Sequence, residues 1–125
     1  MLNERGPAIP QDAVVVEELD DGETVLLITN GGVLRGDFVL NPMIHIYLTN
    51  RRVLIVGDQE VEVAGKRVRY SAFPWTAATA VSIDEKEFGP NRVVRINSDI
   101  GLVMPKGEAK MFLVLAERAI ASRRG

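Results

Sequence analysis

The chain contains no cysteine among its 125 residues, which excludes disulfide frameworks, thiol nucleophiles and thiolate metal sites together. That composition fits a reducing compartment. Histidine is almost as scarce: His45 is the only one, with no second histidine to share a metal and no serine or cysteine motif to serve as a base. No apolar run approaches the roughly 20 residues of a membrane-spanning helix, and Met1 to Pro7 lacks the apolar core of a signal peptide. The expected location is therefore cytoplasmic. Excess charge of one sign is also missing. Fifteen basic and 17 acidic residues give a formal net charge of -2, so the chain as a whole has no attraction for nucleic acid or anionic lipid, and any such binding needs a local patch. No internal repeat or low-complexity tract is present.

What remains is one domain's worth of chain with an ordinary hydrophobic share of 46%, enough to bury a core without metal or disulfide. Residues 1–18 read as a lead-in, loose through Gly6, Pro7 and Pro10, with Asp12 placed to cap a short helix through Val16 and Glu17. Asp20-Asp21-Gly22 is a turn. Short β-type runs then alternate with turn signals. The strands predicted are Glu23–Thr29, the two arms Ile44–Thr49 and Arg52–Val56, Lys66–Phe73, Ala77–Asp84, Asn91–Asn97 and Ile100–Met104. Asn30-Gly31-Gly32 is expected to stop the first run, Asn41-Pro42 the next stretch, and Gly57-Asp58 the second arm.

The firmest local element is the hairpin over Met43–Val56. Ile44, Ile46 and Leu48 share one face, and His45, Tyr47 and Thr49 share the other. Its turn is Thr49-Asn50-Arg51-Arg52, with Asn50 the residue best suited to a left-handed backbone. After Pro105 the period changes to that of a helix over about 107–122. Glu108 stands in its first turn and Arg123-Arg124 follow its last, the signs the helix dipole favours. Met111, Val114 and Ala121 fall off the best apolar stripe, so this helix is apolar on more than one side.

Several segments resemble the bacterial pleckstrin-homology-like families and the related GRAM domains. Leu19-Asp20-Asp21-Gly22-Glu23-Thr24-Val25 looks like their opening L-x-x-G-E-x-V segment. Ile46-Tyr47-Leu48-Thr49-Asn50-Arg51-Arg52-Val53-Leu54-Ile55 looks like their L-T-x-x-R-L hairpin. Phe73-Pro74-Trp75 followed by Val81-Ser82-Ile83 looks like their I-P-Y…V entry to the fifth strand. The chain departs from the pattern at Thr76-Ala77-Ala78 and in the long stretch Val33–Asn41. The resemblance covers roughly Leu19 to Ile120. It implies a mostly β fold: a seven-stranded antiparallel barrel over residues 19–122, capped by the C-terminal helix, with Phe112, Leu115 and Ala116 as the plug. It also implies a non-enzymatic module that self-associates.

No residue set points to catalysis, a cofactor or a metal. Asp20-Asp21-Gly22-Glu23 lacks the alternating ligands and distal glutamate of a calcium loop, and Gly31-Gly32 lacks the lysine and helix of a phosphate loop. Asp84-Glu85-Lys86-Glu87 reads as a solvated hairpin tip. The expected function is a non-enzymatic binding or assembly module working by protein–protein contact or self-association. Phe73, Trp75, Met111 and Val114 are its expected partner-binding residues. The competing reading is peripheral binding to anionic membrane lipid through Arg51, Arg52, Lys66, Arg67 and Arg69. Nucleic acid is not an expected partner, because the overall charge opposes it.

Overall fold

The computed structural model describes residues 12–35 and 38–124. It is mostly β, with seven antiparallel strands in one sheet and a helix at the C-terminal end. The strands are β1 (Val25–Arg35), β2 (Phe38–Thr49), β3 (Arg52–Val63), β4 (Lys66–Pro74), β5 (Val81–Phe88), β6 (Asn91–Ile96) and β7 (Ile100–Pro105). The helices are α1 (Ala13–Glu18) and α2 (Lys106–Arg124). The sheet order is β4-β3-β2-β1-β7-β6-β5. Seven antiparallel strands and one closing helix are what the sequence led us to expect, but the hydrogen bonding does not close into a barrel. Among the described residues β4 pairs only with β3 and β5 only with β6, so the sheet has two edges.

Several boundaries lie elsewhere than the turn signals suggested. Asn30-Gly31-Gly32 does not end a strand; β1 runs through it because two neighbours claim it there. Asn30 and Gly31 pair with His45 and Ile44 of β2, while Gly32 to Leu34 also pair with Val103 to Gly101 of β7. A Cβ built on Gly31 would stand 1.8 Å from the Val103 carbonyl oxygen, so glycine is required by a close backbone approach rather than by a turn. Asn41-Pro42 lies inside β2, and Gly57-Asp58 lies inside β3 as an irregular stretch where the register slips between Val56 and Val61. The polar run after it is the second half of β3. Ala77-Ala78 is a turn, leaving β5 to start at Val81. The β5–β6 connection falls at Gly89-Pro90, at the end of the Glu87–Pro90 break that separates the two predicted strands, whereas Asp84–Glu87, read as a hairpin tip, lies inside β5.

The period-two alternation of the hairpin sorts side chains to two faces. Ile44, Ile46, Leu48, Val53 and Ile55 join Val94, Ile96, Leu102 and Met104 in the main core, closed by Ala109, Phe112, Ala116, Ala119 and Ile120 of α2. Phe112 and Ala116 are fully buried and Leu115 is half-buried against the same cluster, as the plug reading expected. The opposite face carries Val25, Tyr47 and Leu54, covered by Val15 of α1. The sheet therefore has a long helix on one side and a single short turn of helix on the other.

Candidate functional site

The β2–β3 turn is built by Thr49 and not by a left-handed asparagine. The Thr49 hydroxyl accepts hydrogen bonds from the backbone N–H groups of Arg51 (3.0 Å) and Arg52 (2.9 Å). Among the described residues the non-glycine residues with positive φ are Ala64 and Asn97, so Asn50 does not take the role its residue type suggested. Its side-chain oxygen instead accepts from the Thr24 N–H (2.8 Å) and its amide donates to the Gly22 carbonyl (3.2 Å). Asn50 thus ties the turn to the Asp20–Thr24 segment.

Beside it, Arg52 is committed to an internal ion pair. Its Nε and Nη2 each lie 2.9 Å from a carboxylate oxygen of Glu23, and Nη2 also donates to the Glu18 carbonyl. The Glu23 side chain is fully buried and that of Arg52 is 17% exposed. Burial alone would push the Glu23 carboxyl up. Hydrogen bonds from Arg52, the Asp20 backbone N–H and Thr49, together with the arginine charge, outweigh it and hold the carboxyl below its ordinary value. Nearby, the Tyr70 hydroxyl is buried with no hydrogen-bond partner among the described residues, and that burial disfavours its ionised form and raises its pKa despite the charge of Arg52.

A second polar cluster holds α1. Asp12 occupies the N-cap position, but its carboxylate makes no capping bond. One carboxylate oxygen instead accepts from the Tyr47 hydroxyl and lies 2.8 Å from His45 Nδ1, and the Asp12 backbone N–H donates to the Tyr47 hydroxyl (3.1 Å). His45 thus has a structural partner 33 positions earlier in the chain. Among the described residues there is no group of three or more His, Cys, Asp or Glu able to hold a metal, and no helix is long and apolar enough to cross a membrane.

The residues singled out for binding do not stay together. Trp75 is buried: its Nε1 donates to the Thr49 carbonyl (2.9 Å) and its ring meets Phe112 edge-on at 6.3 Å. It joins the hairpin turn to α2 and offers no face to a partner. Phe73 is half-buried against the main core. Met111 (39% exposed) and Val114 (48%) do reach the surface, on the side of α2 away from the sheet. The five basic residues are dispersed. Arg52 pairs with Pro74 at one end of β4, while Lys66 is at the other end, roughly 26 Å away at about 3.3 Å per residue. Arg67 stands 4.0 Å from Glu60. Arg51, Arg52, Lys66, Arg67 and Arg69 therefore form no single patch.

Sequence reasoning missed a different convergence. Arg51, at the hairpin turn, shares a groove of about 530 Å³ with Arg118 and Arg123 of α2; Leu26, Leu115 and Ala119 supply apolar lining. The spacing of Leu115, Arg118, Ala119 and Ser122 marks one side of a helix. Arg51, 67 positions before Arg118, arrives only through the fold.

No family model, curated protein or solved structure matches this chain.

Proposed function

We propose that this protein is a non-enzymatic assembly module on a pleckstrin-homology-like scaffold, and that it pairs with a second copy of itself through the outer side of α2. The observation that supports this reading is the exposure of Met111 and Val114 on a helix whose other side already plugs the sheet. Large apolar side chains with no structural use on the outside of a helix favour a docked neighbour. A second copy fits because the charges are self-complementary. When two α2 helices run antiparallel about an axis between Leu113 and Val114, Lys110 of each copy stands level with Glu117 of the other, and the two Val114 side chains meet near the axis. Both charged residues are exposed. A contact of this kind is small, so the dimer is weak and concentration-dependent. The cysteine-free composition fits a cytoplasmic setting.

Sedimentation velocity over a concentration series tests the proposal. The wild type should shift from monomer towards dimer, and Lys110→Glu should weaken the dimer about tenfold by replacing two attractions with two repulsions. Lys110→Glu combined with Glu117→Lys restores it. A strict monomer at high concentration, or a double variant no better than the single, overturns the assignment.

A further inference from the structure

We infer that the groove between α2 and the β2–β3 turn is a binding site for an acidic segment of a protein partner that carries an apolar side chain. The inference does not rest on the pairing through Met111 and Val114, although Arg118, four residues after Val114, stands where the two surfaces of α2 adjoin.

The groove combines two chemistries. Arg51, Arg118 and Arg123 border it and no lining residue is acidic. In a chain with a net charge of -2, this is a local reversal of sign, the arrangement that selects an anionic partner and speeds its approach. The guanidinium groups are available. No described carboxylate lies within ion-pair distance of Arg118 or Arg123. Arg51 reaches only Asp20, at 3.8 Å, with both side chains well exposed. Arg52, by contrast, is consumed by Glu23. The adjacent arginines of the turn thus divide the work, one holding the fold and one facing the groove. Arginine's planar fork suits bidentate capture of a carboxylate.

The second chemistry is apolar. Leu26 falls at the register irregularity between Val25 and Leu27 of β1 and is 36% exposed, and Leu115 and Ala119 add to the apolar lining from the helix. The volume suits a few side chains rather than a large ligand. The placement also favours a peptide over a membrane. Ala119 is buried and Leu115 half-buried against the core, which leaves Leu26 as the main apolar surface of the groove, too little for insertion into a bilayer. A segment such as two leucines flanked by glutamates would fill the groove and reach all three arginines.

Fluorescence anisotropy with a fluorescein-labelled, glutamate-rich decapeptide bearing two central leucines tests this. The titration is carried out on the Lys110→Glu variant as well as the wild type, so that loss of pairing and loss of groove binding are read separately. Saturable binding is expected in both, weakened at least tenfold by Arg118→Glu with Arg123→Glu, several-fold by Leu26→Ser, and progressively by salt. Amide shifts in a ¹⁵N correlation spectrum should cluster at Leu26, Asn50, Leu115 and Ser122. Four results overturn the inference: no saturable binding, equal affinity in the arginine variant, amide shifts confined elsewhere, or arginine-dependent binding to phosphatidylserine vesicles with none to the peptide.

Discussion

The two faces of the sheet are closed by helices in opposite ways. On one face α2, 19 residues long, contributes fully buried Phe112 and Ala116 to a core that is apolar throughout. On the other, α1 is six residues long with Val15 as its buried residue. A helix that short has no independent stability in water, and buried Val15 with half-buried Val14 and Leu19 gives it only a small apolar contact. Polar anchors add to it: Asp12 between His45 and Tyr47 before its first residue, and Arg52 on the Glu18 carbonyl at its last. The comparison teaches that the same sheet uses non-directional burial where area is plentiful and directed hydrogen bonds where it is not.

Three substitutions test that contrast. Phe112→Ala removes the largest side chain α2 buries and should cost about 3–5 kcal/mol, lowering the whole unfolding transition in denaturant. A loss confined to α2 amides in hydrogen exchange, with the transition unmoved, would mean that this face does not carry the fold.

Arg52→Ala should cost about 3 kcal/mol, because it strands the buried Glu23 carboxylate. Its signature is pH dependence. Glu23 ionises below its ordinary value of 4.5 in the folded chain. The stability it contributes is therefore complete above that value and lost as pH falls through the lower, folded one. Without Arg52 the opposing effect of burial gains weight. The drop in stability between about pH 6 and about pH 3 should then shrink relative to wild type. An unchanged acid limb would remove the ion pair from the account.

Asp12→Ala should have the smallest effect, about 1–2 kcal/mol for the lost hydrogen bonds, and that effect should be local. Amides of residues 13–18 should exchange faster while those of β2 and β3 stay protected. A global loss as large as that of Phe112→Ala would erase the distinction between the two faces.

Much of this was legible in the residues. The alternation through Ile44–Thr49 assigned each side chain to its face, since a strand's period leaves no choice once one face is apolar. The helical spacing after Pro105 likewise located the plug. Gly31, Trp75 and Arg52 were less legible because their types have two uses each. A glycine marks a turn or a close approach, a tryptophan an interface or a core, and an arginine a ligand site or a buried pair. Only the neighbour decides among these, and Val103, Phe112 and Glu23 are all distant in sequence.

The sequence by itself thus determined a mostly β chain ending in a helix, because periodicity and turn chemistry are local properties. Tertiary structure alone decided that the sheet stays open, that Asp12 reaches His45 and Tyr47 instead of capping its helix, and that Arg51 meets Arg118 and Arg123. Those outcomes depend on which residues are brought together from 33 to 72 positions apart. A pattern read along the chain carries no term for contacts at that range.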